Sequence, residues 1–295
     1  MPELPVAALS HSGLRTLYQC STRWRFRYID RHYEPPTGKM VRGTVFGAAE
    51  TQSDFNWLEG GSPLSTDDVL DKYADEWNAL DQGEVNWEGE KPIAIRESGE
   101  ACLRTYHTEL VPSMARPVTV EREARVAVEH PDGTDVEFVA YFDVETEDGR
   151  VRDRKVSGAG DWANPEAAQT KADGDGQATG YLALRRVEGD PATGFDFEVA
   201  RPLKTPKAVR VSTSRSDEVL DDFLARILNA ADEIAWRTET DTWGYAPEGA
   251  WWCSEKSCGY WSQCPGGGLF RRKRAEAVSE EMDQQIAEAT EAVVG

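Results

Sequence analysis

The sequence has few positive charges for its length of 295 residues. Lys and Arg number 33 against 53 Asp and Glu, so the formal net charge is −20. This balance excludes a protein that coats nucleic acid with a uniformly basic surface, because phosphate binding needs positive charge. An enzyme with a local basic channel stays compatible with it, as a soluble monomer or as a ring-shaped homo-oligomer that hides the channel.

Long apolar runs are missing as well. The stretch 138–142 is among the longest, far below the ~18 residues that cross a bilayer. Residues 1–13 lack the basic and apolar regions of a secretory signal. We therefore expect a cytoplasmic protein, or one of the host cytoplasm if a phage encodes it.

Cysteine is sparse and odd in number, with five residues in the chain. Such a set does not build a disulfide scaffold at this length. Three of the five, Cys253, Cys258 and Cys264, fall within twelve residues of one another. In a cytoplasmic chain this crowding is typical of metal or cluster ligation.

Apolar periodicity and turn residues divide the chain into helices and strands. Period-two alternation begins at 118, after four helical stretches, and turn residues at 132–133 and 148–149 predict two hairpins. This order predicts an α/β fold (α+β layered) with a helical N-terminal region. The predicted helices are 9–30, 43–57, 65–80, 92–113, 170–187 and the stretch after Ser216, and the predicted strands are 118–128, 136–145, 150–156, 194–201 and 207–212.

Two carboxylates and a lysine are predicted to converge on the second and third strands. Asp153 and Lys155 are two residues apart, so both side chains project from one face of a strand and Arg154 from the other. The turn at 148–149 brings Asp143 to the same end of the sheet. Carboxylate oxygens suit Mg²⁺, which acidifies a bound water, and a protonated lysine stabilises developing negative charge, as phosphodiester hydrolysis requires. The alternative is a cross-strand salt bridge on a solvated face.

These residues, taken together with three other features, resemble a known family. The Asp143…Asp153-Arg154-Lys155 pattern after a hairpin resembles the PD-(D/E)XK nuclease motif. Gln177 and Tyr181 resemble the Gln-x-x-x-Tyr motif of its RecB-like branch, and the stretch 10–28 resembles the opening helix of that branch. One early and three late cysteines resemble its iron–sulfur nucleases, which include CRISPR-associated exonucleases and phage-encoded relatives.

The resemblance implies a fold and a set of roles. The fold is a restriction-endonuclease-like core with a mixed sheet flanked by helices. Asp143 and Asp153 would bind Mg²⁺ or Mn²⁺, Lys155 would assist catalysis, and Gln177 and Tyr181 would line the site towards DNA. The alternative for this glutamine and tyrosine is an ordinary helix surface and core.

The same resemblance implies a [4Fe-4S] cluster on four thiolates. Such clusters take four cysteines, as does structural zinc. Structural zinc and unligated thiols are the alternatives. The cluster would join the two ends of the chain. Its ligands would be Cys20, Cys253, Cys258 and Cys264.

The resemblance also gives a division into segments. Residues 1–116 are the helical N-terminal region with Cys20, and 117–240 are the nuclease core. Residues 241–270 hold the late cysteines, and 271–295 combine a basic run with an acidic tail.

One position departs from the family pattern. Many members carry a histidine where this chain has Gly47, at the end of Gly-Thr-x-x-His. The change removes a metal ligand and puts the metal preference or the activity in question. Glu50, Glu121 and Glu123 are the acids that would substitute, and surface acids of an acidic protein are the alternative reading of all three.

A nuclease of this charge needs a local path for phosphates. Two basic stretches are available, at residues 23–27 and 271–274. The alternative interpretation of the second stretch is the solvated start of a helix. Trp24 and its neighbours would also offer stacking to bases. The expected DNA contacts are Arg23, Trp24, Arg27, Arg271, Arg272 and Arg274.

The sequence therefore predicts a metal-dependent exonuclease that acts on single-stranded DNA ends and carries a structural [4Fe-4S] cluster. Three alternatives stay open. One is a catalytically impaired DNA-binding accessory protein, and another is a subunit that trims DNA for CRISPR adaptation or recombination with a partner protein. The third is a zinc-stabilised structural protein.

Overall fold

A computed structural model describes residues 4–269 of the chain. Within this range a six-stranded mixed sheet is flanked by helices. The strands are β1 (Leu9–Ser10), β2 (Pro117–Glu129), β3 (Asp135–Thr146), β4 (Arg150–Val156), β5 (Gly194–Arg201) and β6 (Lys207–Thr213). The helices are α1 (His11–Gln19), α2 (Ser21–Tyr28), α3 (Gly38–Gly60), α4 (Thr66–Ala79), α5 (Pro92–Glu109), α6 (Pro165–Asp173), α7 (Gly176–Val187) and α8 (Asp217–Thr240).

Two tight turns build the centre of the sheet. β2 and β3 pair antiparallel along their length, and β3 turns into β4 at Gly149, whose φ of +77° favours glycine. β4 and β5 run parallel, which requires a crossover, and α6 and α7 make it. β6 pairs antiparallel with β5, and β1 pairs parallel with β3 at Phe138 and Val139. The predicted layered α/β fold with a mixed sheet is confirmed.

Helices cover both faces of the sheet. On one face α3 packs on β2 and β4, α5 packs on β5 and β6, and α4 packs against both helices. Phe46 and Tyr106 meet edge to face in this layer, with ring centroids 5.3 Å apart. On the other face α7 lies against β3, and Gly180 permits a close approach, because a Cβ there would lie 2.8 Å from Phe223 of α8.

Two of the predicted helices are interrupted, and those predictions are wrong in that respect. The stretch 9–30 starts with β1 and breaks at Cys20, which is extended (φ −170°) and accepts a hydrogen bond from the Arg23 N–H at 3.4 Å. The stretch 170–187 falls into α6 and α7, because Asp175 caps a new helix through the Gln177 N–H at 2.8 Å. A capping side chain can end one helix and begin the next while the apolar residues on both sides keep a helical spacing, so the sequence pattern does not show the break.

The contacts between residues divide the chain into two compact units. Within residues 4–269, the first comprises the residues up to Leu14 together with Pro35–Trp236, and the second comprises Arg15–Glu34 together with residues 237–269. The four segments predicted from the sequence stay a prediction. In residues 4–269, none of the helices has the length and apolar character that a bilayer crossing needs.

Candidate active site

The two strands that carry the predicted site separate where its residues begin. Backbone pairing of β3 with β4 covers Val144↔Arg152 and Glu145↔Val151. Beyond it the Arg154 N–H donates to Asp143 Oδ2 at 2.9 Å, so a side chain takes the place of a strand carbonyl. The carboxylate of Asp143 is thereby fixed between the two strands.

Asp153 and Lys155 share one face of β4, as the sequence predicts. Lys155 Nζ lies 3.0 Å from Asp153 Oδ1 and 2.7 Å from Oδ2. The carboxylate is buried, with 3% of the Asp153 side chain exposed, whereas the Lys155 side chain is 37% exposed. The pair therefore presents its positive end to the solvent side.

Gln177 joins this pair from the first turn of α7. Its Nε2 donates to Asp153 Oδ1 at 2.6 Å, and its Oε1 accepts from Lys155 Nζ at 3.0 Å. Asp175, the cap of α7, sets the start of the helix and so the position of Gln177; Lys171 Nζ pairs with Asp175 Oδ2 at 3.0 Å. Sequence reasoning missed Asp175, although an aspartate just before a helix start is a recognisable N-cap signal.

Tyr181 lies one turn further along α7 and is buried. Its ring packs against Phe142, with ring centroids 4.9 Å apart. Burial raises the pKa of Tyr181 to about 12, with the charge of Asp153 adding to it and a hydrogen bond with Gln177 opposing it. The phenol therefore stays protonated and supports Gln177 from beneath.

The protonation of the pair follows from burial and charge. Burial raises the pKa of Asp153 to about 6, the Lys155 charge opposes this shift, and the Asp143 charge adds to it. Burial by itself lowers the pKa of Lys155, but Asp153 outweighs it, and the pKa is raised overall. Lys155 is thus an ammonium at neutral pH, which suits charge stabilisation and not general-base work.

A cavity of about 840 Å³ opens beside these residues, and α3, β2, β3 and β4 line it. Asp143, Lys155, Glu121 and Gly47 are among its lining residues. A Cβ at Gly47 would meet nothing within 4 Å, so the position where the family has histidine faces free space.

Of the three acids considered as substitutes for that histidine, Glu121 alone lines the cavity. Its carboxylate accepts from Thr51 Oγ1 at 2.7 Å, and its φ of +50° is a left-handed conformation that costs a glutamate energy. Glu50 is buried beside His107, with Oε1 3.4 Å from Nε2. Glu123 pairs with Arg125 at 2.6 Å on an exposed surface.

A layer of buried charges lies on the opposite face of β4. Asp54 of α3 accepts from Arg152 Nη2 and Arg154 Nη1, each at 3.0 Å. Arg154 also reaches Thr51, and Arg152 lies 3.6 Å from the fully buried Glu198. Sequence reasoning missed this layer; the alternation of arginines along β4 is a signal for it, but nothing in the sequence identifies Asp54 as the partner.

The donors at the site suit a hard divalent cation. Asp153 Oδ2 is buried and accepts no hydrogen bond within residues 4–269, although the Lys155 ammonium lies near. Asp143 and Asp153 supply carboxylate oxygens, and Mg²⁺ commonly takes one or two of these with waters and substrate phosphate. In the described part of the chain, no group of three or more His, Cys, Asp or Glu side chains is arranged to hold a metal. A metal here would therefore rest on two acids and on ligands from outside the chain.

The cysteines of the sequence prediction lie together in the second unit. Burial raises the pKa of Cys20, and the charge of Cys264 adds to it. Burial raises the pKa of Cys253, with Cys20, Cys258 and Cys264 adding to it. The four thiols are unbonded and partly exposed, and among residues 4–269 they do not form a ready metal site.

Several hydrogen bonds join the early and late parts of this unit. Thr22 N donates to Gly244 O at 3.0 Å, Tyr260 Oη to His32 O at 2.6 Å, and Trp252 Nε1 to Gln19 O at 3.3 Å. The cysteine segment is therefore held against α2 by the protein itself.

The expected DNA contacts in this unit need one correction. Trp24 is 1% exposed and stacks on Trp243, with centroids 5.7 Å apart, so it is a core residue and does not offer a face to bases. Arg23 pairs with Glu34 at 3.1 Å, and Arg27 is exposed beside Tyr28. The other expected contacts lie outside the described residues: Arg271, Arg272 and Arg274.

Comparison with known proteins covers most of the chain. The family model described as PD-(D/E)XK nuclease superfamily matches residues 8–265. The crystal structure of a "Putative exonuclease" from Eubacterium rectale aligns with a TM-score of 0.53 over 85% of this chain and 86% of that one, at 11% identity, which shows a shared fold alone. The crystal structure of SSO0001 aligns over 80% of this chain and 88% of that one at 13% identity, but its TM-score of 0.33 is too low to bear on the fold. No curated protein matches the sequence.

Proposed function

The chain belongs to the PD-(D/E)XK nuclease superfamily, and we propose that it is a Mg²⁺- or Mn²⁺-dependent deoxyribonuclease whose site is formed by Asp143, Asp153, Lys155 and Gln177. One observation carries this proposal: Lys155 Nζ, Asp153 and Gln177 form a closed set of contacts of 2.6–3.0 Å beside Asp143, at the point where β3 and β4 separate.

Each residue has a distinct task in this proposal. A bound divalent metal supplies Lewis acidity and a more acidic water. Asp143, fixed by the Arg154 N–H, and Asp153 would hold it. The Lys155 ammonium stabilises the negative charge that develops on the phosphate oxygens, and Gln177 bridges the Lys155–Asp153 ion pair by accepting from Nζ and donating to Oδ1. Tyr181 supports Gln177.

Glu121 is the acid that would compensate for Gly47. It lines the same cavity as Asp143 and stands opposite it in the register of β2 and β3, between the pairs Val120↔Val144 and Arg122↔Phe142. Its left-handed backbone has a cost that a purely structural glutamate does not need. The role we propose for it is a carboxylate that would reach the metal through a bound water, so that Asp143 and Asp153 stay the two acids in direct contact.

The proposed substrate is the end of a single DNA strand. The cavity of about 840 Å³ is in the size range of a small-ligand pocket. It has room for a few nucleotides. The DNA contacts that we propose from the sequence are Arg23, Arg27 and the run Arg271, Arg272 and Arg274, whose neutralisation should reduce the salt dependence of binding.

We also propose the [4Fe-4S] cluster on Cys20, Cys253, Cys258 and Cys264, with zinc as the alternative. Its support is the presence of all four cysteines in the second unit and the hydrogen-bonded attachment of the late segment to α2. A protein purified without oxygen would show brown absorbance and about four irons per chain if the cluster is present; zinc without iron would identify the alternative.

Linear and circular single-stranded DNA test the function. The wild type with Mn²⁺ or Mg²⁺ should degrade an end-labelled linear strand and spare the circle, and chelation of the metal should stop it. The Asp153→Asn variant should be inactive. Cleavage of the circle would contradict an exonuclease, and an inactive wild type that still binds DNA would favour the impaired accessory protein, which the glycine at position 47 supports.

A further inference from the structure

A second cavity, of about 420 Å³, lies over β5 and β6 beside α6. It shares no lining residue with the cavity at the candidate active site. The register Lys155↔Val199↔Val209 places it on the same face of the sheet as Lys155, two strands away, which is ~10 Å at the usual strand spacing.

The charge of this cavity is opposite to that of the protein. Its lining includes Arg201, Lys207 and Arg210, and none of the described residues that line it is an aspartate or glutamate, in a chain with a net charge of −20. Arg210 is neutralised by Glu198, with Nη2 3.0 Å from Oε1. Arg201 and Lys207 are direct cross-strand neighbours, an arrangement that is unfavourable for like charges unless an anion lies between them.

The side chain of Arg201 is buried in the wall of this cavity. The residue is 8% exposed, and the one hydrogen bond of its side chain within residues 4–269 is from Nη1 to the Ala163 carbonyl at 3.4 Å. Its Nε is buried with no partner, and no carboxylate of the described residues forms an ion pair with it. A buried guanidinium without a counter-charge is expensive, so this position is built for an anion.

The remaining walls fit a flat apolar group. Val209 and Val211 of β6 and Pro165 of α6 line the cavity, as does Trp162, which packs on Phe197 with ring centroids 5.5 Å apart. The amide side chain of Asn164, at the start of α6, stands among these apolar residues. An anion beside a planar heteroaromatic ring is the chemistry of a nucleotide.

We propose that this cavity binds a nucleotide, with its phosphate on Arg201 and Lys207 and its base against the wall that includes Trp162. The nucleotide has two sources with the same chemistry. One is a free mononucleotide. The other is a residue of the DNA strand that leads from Lys155; this second source rests on the proposed nuclease function, and the first does not.

Calorimetry on the full chain tests the proposal. The Lys155→Ala variant without added divalent metal serves as the background, so that no strand is cut. The probes are deoxyadenosine monophosphate, deoxyadenosine and a short single-stranded oligonucleotide. The added substitutions are Arg201→Gln and Lys207→Gln, and Lys204→Gln is the matched control, because Lys204 is an exposed lysine that does not line the cavity.

The monophosphate should bind, and each of Arg201→Gln and Lys207→Gln should weaken binding by about tenfold, because each removes a charge-assisted contact. Lys204→Gln should leave binding unchanged, and deoxyadenosine should not bind. The same losses with the oligonucleotide identify the strand as the source, whereas losses confined to the monophosphate identify the free nucleotide.

The melting temperature gives a second readout, measured first without ligand and then with the monophosphate. Without ligand, Arg201→Gln should raise the melting temperature, since it removes a buried uncompensated charge. The monophosphate should raise the melting temperature of the background protein and not that of Arg201→Gln. Equal monophosphate binding by all variants, or none by the background protein, overturns the proposal, whatever the cleavage assays show.

Discussion

Asp54 should be among the most costly residues to neutralise, because it compensates two buried arginines at once. Its two oxygens accept from Arg152 Nη2 and Arg154 Nη1 at 3.0 Å, and the side chains of both arginines are 3% exposed. Asp54→Asn keeps one acceptor oxygen and turns an amide N–H towards a guanidinium. Removing one partner of a buried pair costs about 3–5 kcal/mol, a large part of the ~5–15 kcal/mol that stabilises a typical fold.

Urea denaturation followed by tryptophan fluorescence measures this loss. With a denaturant slope of about 3 kcal/mol/M, the midpoint should fall by about 1–1.7 M. Asp222→Asn is the matched control, because Asp222 pairs with Arg226 at 2.7 Å on the exposed side of α8, where the pair contributes about 0–0.5 kcal/mol. A shift for Asp54→Asn no larger than that of the control would refute the buried charge layer.

Three further predictions concern the site and its surroundings. Gly47→His should tighten Mn²⁺ binding in calorimetry, because a Cβ there meets nothing within 4 Å and the imidazole enters the cavity of Asp143; unchanged affinity would argue against a metal at this place. Burial raises the pKa of Glu50 well above its ordinary value. The folded protein therefore keeps a proton on Glu50 that the unfolded chain releases above about pH 4.5. The wild type loses stability as the pH rises from the pKa of Glu50 in the unfolded chain to its pKa in the folded protein. Glu50→Gln lacks this loss, so its melting temperature relative to wild type should increase from about pH 5 to about pH 8, and a constant difference would show that Glu50 is ionised in the fold. Cys258→Ala should lower both the melting temperature and the bound iron, and a variant that keeps both would remove the cluster assignment.

The sequence was most informative where the spacing of residues along a strand, or a tight turn between strands, determines which side chains meet. Two-residue spacing predicted that Asp153 and Lys155 share a face and Arg154 the other, and the turn at Gly149 predicted the neighbourhood of Asp143. These relations depend on local backbone geometry, which short-range patterns describe well.

Long-range partners were less accessible from the sequence. The partnership of Asp54 with β4 depends on how α3 packs across the sheet, and no local pattern encodes it. Trp24 illustrates the same limit: an aromatic residue between arginines indicated an exposed stacking surface, yet its indole is buried against Trp243, more than two hundred residues away. The break at Cys20 was hidden because a capping thiol leaves the apolar periodicity intact.

The central claim is that Lys155 acts on the chemistry of a metal-dependent nuclease site rather than on the fold. The most direct measurement is the rate of single-strand cleavage at saturating Mn²⁺ for the wild type, Lys155→Ala and the surface control Lys204→Ala, with Mn²⁺ binding measured in all three. The account predicts that Lys155→Ala binds the metal but loses at least about 100-fold in rate, as expected for the loss of an electrostatic contact to the transition state, while Lys204→Ala matches the wild type. Equal cleavage by Lys155→Ala and Lys204→Ala would contradict it.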